Sequence, residues 1–279
     1  MDPTQTTPLN RRDMLLLAGA LAAPGFAPAA AAFDSQTQDP WMDDPEKSFI
    51  NYVRLMGDTS GRLSPQWWRG AYLGVFEDRH PEVLFLLESC EMKRCIRVSE
   101  HEYEFQLRLF TMFRDPASND ILHGKQWRNP ITGKDVVVEP NISGADKTVK
   151  LMDGEIFDIV PARGTEMRVN LWWSAQGPYM MCHTYRERPE DRVIPLQDFL
   201  TLFGDRAAAA DFSAPRLETR FNTTFIAPFQ RFMATPTALG HSVWHASGHK
   251  AESVATLPSD YRRELARYRP ELSEWIGND

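Results

Sequence analysis

Glu102-Tyr103-Glu104-Phe105-Gln106-Leu107-Arg108-Leu109 is the stretch that decides the fold. Tyr103, Phe105, Leu107, Leu109 and, further on, Phe113 share one face of an extended chain, and Glu102, Glu104, Gln106 and Arg108 share the other. The period is two and not 3.6, which specifies a long β-strand with one buried face. Upstream, residues 67–77 alternate about Trp68, Gly70, Tyr72, Gly74 and Phe76, and the turn Asp78-Arg79-His80-Pro81 leads into an apolar run over 83–87. Downstream, strand candidates fall at 121–127, 135–139, 148–151, 156–160, 165–173 and 179–185. Turn chemistry separates them at 115–120, 129–133, 141–144, Asp153-Gly154, Arg163-Gly164 and Gln176-Gly177-Pro178.

Short strands at regular spacing argue an antiparallel meander, mainly β. Closing the sheet into a barrel removes its unpaired edges, and a β-sandwich is the alternative. Helical signals flank this core. Pro195, with Leu196, Phe199, Leu200 and Phe203 at helical spacing and the alanine run 207–210, predicts an inserted helix before a strand over 216–225. Pro258-Ser259-Asp260 caps a C-terminal helix over 261–269, which Pro270 stops.

The chain opens on Asn10-Arg11-Arg12-Asp13-Met14, an uncharged stretch to Phe26, and Ala29-Ala30-Ala31-Ala32. A paired-arginine region, a short apolar core and a small-residue cleavage site read as a twin-arginine signal peptide over 1–32. The apolar run falls short of the ~20 residues of a membrane span. The expected address is periplasmic or secreted, with the Tat export machinery as a partner and no membrane span after cleavage. Residues 33–66 read as a leader, extended over 33–48, and 67–279 as a single β-barrel domain of ordinary size. The net charge of −7 is the same with or without residues 1–32, and an acidic chain gives no electrostatic reason to expect nucleic acid. Oligomeric state, monomer or homodimer, stays open. Cys90, Cys95 and Cys182 cannot all pair within one chain; Cys90 with Cys95 is the one short-loop disulfide, and free buried thiols are the favoured reading.

Asp115-Pro116 followed by Ile121-Leu122, then Trp127-Arg128-Asn129-Pro130-Ile131-Thr132-Gly133, then Val243-Trp244-His245-Ala246-Ser247-Gly248-His249-Lys250 resemble, in order and spacing, the domain of unknown function 1838 family. The resemblance runs from Trp67 to the C-terminus. It implies a calycin-like or lipocalin-like barrel and no particular activity. It does not lead one to expect histidine at His241 and His249.

No G-x-S-x-G elbow, dinucleotide fingerprint, P-loop or C-x-x-C is present, so no cofactor is expected. His241, His245 and His249 lie four apart, but on a strand they stand ~13 Å from each other, too far to share an ion. No metal is expected. A polar stripe crosses several strands: Glu166, Arg168 and Asn170; His183 and Tyr185; Arg216, Glu218, Arg220 and Asn222; and His245. Facing inward, it would form a small-molecule site in which His183 and Tyr185 are an acid–base pair, His245 is a second base, and Arg168 or Arg220 stabilises an oxyanion. Trp127, Asn170, Trp172, Asn222, Phe229 and Trp244 would contact an apolar or aromatic ligand. Facing outward, the same stripe is the solvated side of the wall. The apolar loop over 226–240 is either a lid or a packed plug. Two functions stand level: a cofactor-independent isomerase, lyase or cyclase, and a non-catalytic periplasmic carrier or sensor. A structural protein with aromatic surfaces follows them.

Overall fold

The computed structural model describes residues 39–188 and 196–277. The signal read over 1–32 lies outside the described residues. The deciding stretch forms β3 (Glu102–Arg114), with Tyr103, Phe105 and Leu107 buried. Its neighbours in the chain are β1 (Ser64–Val75) and β2 (Glu82–Ser99). After a small hairpin of β4 (Gln126–Arg128) and β5 (Asp135–Val137) come β6 (Asn141–Met152), β7 (Glu155–Val160), β8 (Thr165–Gln176), β9 (Tyr179–Arg188), β10 (Leu196–Asp205), β11 (Arg220–Ala227) and β12 (His241–Lys250). Apart from β4 and β5, these strands close one antiparallel barrel in the order β1-β12-β11-β10-β9-β8-β7-β6-β3-β2. The barrel reading therefore holds, and the sandwich does not.

Several local readings change. The strand read over 121–127 is strand only from Gln126, and the one read over 216–225 starts at Arg220. Residues 196–205 are strand β10, and only Arg206–Ala210 is helical (α2). Leu200 and Leu202 are buried at strand spacing; the helical spacing of the apolar residues is a coincidence of two patterns. The turn read over 141–144 is instead the start of β6, where a Cβ on Gly144 would lie 2.8 Å from the Leu107 carbonyl oxygen. That glycine serves close approach of strands, not reversal. The leader segment supplies a helix, α1 (Pro45–Met56), so residues 45–48 are not extended.

Ten strands make a wider barrel than the eight whose own side chains fill the interior, so something must occupy the lumen. At one end it is α1. Pro45 opens the helix, and the Asp44 carboxylate accepts from the Glu46 and Lys47 amides. Phe49, Tyr52, Val53, Leu55 and Met56 pack against Phe105, Val149, Val169, Trp173, Met180 and Phe221 of the wall. Each such apolar side chain contributes roughly 1.5–3 kcal/mol on burial. Trp41 meets Trp173 edge to face at 4.9 Å, and the Trp173 indole donates to Ser48 Oγ at 2.6 Å.

The last carbonyls of α1 sit inside the barrel, where no water reaches them freely. Val53 O accepts from the Gly57 amide, Leu55 O from Thr219 Oγ1 and Gln66 Nε2, and Met56 O from Gln66 Nε2. Lys250 Nζ donates to the carbonyls of Arg54 (2.6 Å), Gly57 (2.9 Å) and Leu217 (3.1 Å). A cation at the helix C-terminus also opposes the macrodipole. Burial, then the Arg216 and Lys93 cations, pull the Lys250 pKa well below its ordinary value, and the Asp58 and Glu218 carboxylates oppose them without prevailing. Arg54 in turn donates to the carbonyls of Ala208, Ala209 and Asp211 at the end of α2.

The other end is closed over part of its width. Residues 228–240 and the β4–β5 hairpin fold onto β1, β2, β3 and β12, burying Tyr72, Phe85, Phe113, Phe229, Met233 and Trp244. The apolar loop is thus a packed plug. Outside the barrel, α3 (Ser259–Tyr268) and α4 (Leu272–Gly277) cover Cys90, Met92, Phe110 and Met112 of β2 and β3. Cys90 and Cys95 fall on opposite faces of β2, so they cannot pair; all three cysteines are free and buried.

The wall is parted at one place. β6 pairs with β3 from Asn141 onward but with β7 only from Thr148, and the Arg186–Arg188 end of β9 pairs with β10 alone. Replacing Lys250 by Met would take the donor from the Gly57 carbonyl and leave those of Arg54 and Leu217 with one donor each, the Leu217 amide and Thr219 Oγ1. The expected loss is about 1–3 kcal/mol of unfolding free energy, measured by urea titration, with native-like circular dichroism retained.

Candidate functional site: a charged cavity within the barrel

Between α1 and the opposite plug lies a cavity of 350 Å³ that reaches the parted stretch of wall through Ser143, Gly144 and Ala145. Leu107, Leu109, Met167, Leu196 and Phe225 supply apolar lining; Glu91, Lys147, Asp158, Arg186 and Asp198 supply charge. Each charged residue occupies an inward position on its strand, in step with buried residues that are mostly apolar. Asp158 stands between Ile156 and Val160 on β7, and Lys147 two residues before Val149 on β6. Arg186 follows Met180, Cys182 and Thr184 along β9.

The charges are paired across strands. Asp158 Oδ2 accepts from Lys147 Nζ at 2.7 Å and from Arg186 Nη1 at 2.6 Å, and Arg186 Nη2 donates to Asp198. Lys93 bridges Glu91, at 2.8 Å, and Gln66, which itself caps α1. Burial opposes ionisation of Asp158, but the Lys147 and Arg186 cations outweigh it and hold the carboxyl below its usual range. Glu91 is lowered in the same way, burial being overcome chiefly by Lys93. Burial works against the Arg186 charge as well, and Asp198 and Asp158 more than restore it. Among the buried polar atoms without a protein partner are Asp158 Oδ1 and the hydroxyl of Tyr52, which α1 brings into the field of Asp158 and Arg186.

The residues singled out from the sequence lie elsewhere. On β8, Met167, Val169 and Trp173 are buried while Arg168, Asn170 and Trp172 alternate with them toward solvent. On β9, His183 and Tyr185 oppose the buried Cys182 and Thr184; on β11 and β12, Arg220, Asn222 and His245 oppose the buried Phe221, Trp244 and Ala246. The stripe is the outer face, and none of these side chains lines the cavity. Trp172 stacks on His183 at 5.3 Å, and His183 bonds Ser174 Oγ and Thr201 Oγ1; burial lowers its pKa. Tyr185 stacks on Phe199, and Asn170 donates to the Tyr185 carbonyl. Arg168 pairs with Glu155, and His245 Nδ1 meets Thr224 Oγ1 at 3.0 Å. Arg220 and Asn222 border an outer groove with Trp67, Tyr179 and His249. Trp127, Phe229 and Trp244 belong to the plug. Of the two orientations left open by the sequence, the outward one is found; the inner face is marked instead by charges in phase with apolar residues.

An up-and-down ten-stranded barrel with a part-polar internal cavity is calycin-like in architecture. The chain belongs to the family described as protein of unknown function (DUF1838), which matches residues 62–275. No curated protein and no solved structure matches it.

The segments that carried the resemblance are placed by packing. Asn129 donates to the Met233 carbonyl at 2.7 Å and to Thr235 Oγ1, fixing the hairpin to the plug. A Cβ on Gly248 would lie 2.3 Å from the Trp67 carbonyl oxygen, and Lys250 caps α1. Leu122 anchors the turn that begins at Asp115, whose carboxylate accepts from the Ala117 and Ser118 amides.

That turn also holds His123, a histidine the sequence reading passed over. Its Nε2 accepts from the Phe113 amide at 3.1 Å, so the ring is neutral with its proton on Nδ1. Burial, then the Arg267 and Arg114 cations, push its pKa down to about 4. Between that value and the ordinary 6.5 the unfolded chain binds a proton that the folded protein refuses, so stability falls as pH falls through this window. The His123 contribution to this loss from pH 7 to pH 4 is about 3 kcal/mol. Denaturant titrations across that range should show a shallower pH dependence in His123→Gln, whose amide oxygen can still accept from Phe113.

Proposed function

We propose that this protein is an exported barrel that binds a small molecule in its internal cavity and carries or senses it without chemical change. The observation that supports the reading best is the cavity itself: apolar walls beside buried, cross-paired charges, with a carboxylate oxygen of Asp158 left without a protein partner. Small-molecule sites combine a mostly apolar enclosure with a few fixed polar groups, and an unpartnered buried oxygen costs free energy that a ligand donor or water offsets.

Binding suits these groups better than turnover. A general base works best with a pKa near ambient pH, whereas Asp158 and Glu91 are both held below the ordinary carboxylate range. The outward placement of His183, Tyr185 and His245 separates them from the cavity, so an isomerase, lyase or cyclase step inside the barrel would not run through them. The export part of the proposal rests on Arg11-Arg12 and the apolar and alanine stretches that follow.

Native mass spectrometry of protein purified from the periplasm of the producing cell should show a low-mass adduct that is released unaltered on denaturation. Phe225→Trp, which adds volume at the cavity wall, should abolish it; an adduct that persists in this variant would sit elsewhere. Fractionation should find the wild-type chain in the periplasm and the Arg11→Lys, Arg12→Lys double variant in the cytoplasm. Periplasmic recovery of that variant would exclude the twin-arginine route.

A further inference from the structure

The cavity lining has more to say about its occupant than that it is small. Six charged side chains meet at this level of the barrel, Glu91, Asp158 and Asp198 against Lys93, Lys147 and Arg186, so the site carries no large net charge. The two signs are not equally presented. The side chains of Glu91 and Asp198 are 27% and 25% accessible, against 1% for Lys93, 8% for Lys147 and 16% for Arg186. The cations are tucked behind the carboxylates and spend donors on them: Lys147 on Asp158, Arg186 on Asp158 and Asp198, Lys93 on Glu91 and Gln66. Asp158 Oδ1, in a side chain only 1% accessible, is a buried acceptor of the cavity lining with no protein donor.

A ligand therefore meets acceptors first. An anionic group would be repelled by Glu91 and Asp198 and would have to take Lys147 or Arg186 away from partners in a low-dielectric interior. A hydroxyl or ammonium group can donate to the carboxylates with every existing pair intact. Its apolar remainder fits against Leu109, Met167, Leu196 and Phe225.

Resting on the cavity-binding reading above, we propose that the site selects small amphipathic molecules whose polar end is a hydrogen-bond donor, a hydroxyl or an ammonium group, and rejects their carboxylate counterparts. Asp158 receives the donor, Glu91 and Asp198 screen the head group at the accessible side, and the cations keep the carboxylates ionised.

The test compares phenylbutylamine, phenylbutanol and phenylbutanoate, which share one apolar body, by calorimetry and thermal shift on the mature protein. The amine or the alcohol should bind and raise Tm at millimolar concentration, while phenylbutanoate should do neither; which of the two binds more tightly separates an ammonium from a hydroxyl ligand. Asp158→Asn should weaken binding about tenfold or more, and Glu91→Gln supplies a second reading should the first variant fold poorly. Binding of phenylbutanoate as tight as the others, silence of all three probes, or affinity unchanged in both variants overturns the donor-head proposal. Binding that survives Phe225→Trp undamaged overturns the cavity assignment instead, so the two failures are distinguishable.

Discussion

The architecture depends on how the last carbonyls of a helix are satisfied inside a barrel. α1 ends among apolar side chains, and an uncompensated carbonyl there costs ~1–3 kcal/mol. Gln66 from β1, Thr219 just ahead of β11 and Lys250 from β12 meet Arg54, Leu55, Met56 and Gly57, so three wall segments are registered on one helix end. Gln66 is also held by Lys93, which pairs with Glu91 at the cavity. The filling of the barrel and the composition of the cavity are thus parts of one polar chain, in which Lys93 links the Gln66 that seats α1 to Glu91 of the cavity lining.

How much of this could be read in the chain follows from which patterns are local. β3 was legible because its alternation is uninterrupted over Glu102–Leu109; beyond Leu109 both of its faces are buried. The C-terminal helix was legible from its proline boundaries, though Asp260 proves to pair with Arg114 of β3 and not to cap. α1 was hidden because Lys47 and Arg54 make its sequence look solvated; Arg54 is in fact buried and caps α2, a partner 154 residues or more away. β10 was misread because Leu196, Phe199, Leu200 and Phe203 satisfy a helical template by chance, while only its even positions face inward.

The charged cavity went unread for a related reason. In a barrel both parities of a strand carry polar groups, and the richer one drew attention: Arg168 and Asn170 on β8, His183 and Tyr185 on β9. The informative signal was the scarcer one, an Asp, Lys or Arg in step with Ile, Val and Met. Such a residue must be paired by other strands, and pairing over that distance leaves no trace in a local pattern. The glycines and amides of the motifs, by contrast, explain fold and not function: Gly248 lets β12 approach β1, and Asn129 ties the hairpin to the plug.

Lys250 reaches the carbonyl of Arg54 across 196 residues of sequence. Neither the helix end nor the seam between β1 and β12 can be completed until nearly the whole described chain exists, so α1 waits for the last strand to lock it. Loop closure of that order is paid before its contacts return anything, which makes assembly a late, concerted event following synthesis and not a process that runs along with it. A protein built in this way leaves the ribosome with its core still open. Its non-local closure is therefore slow beside that of a helical protein of equal length, whose contacts form between near neighbours.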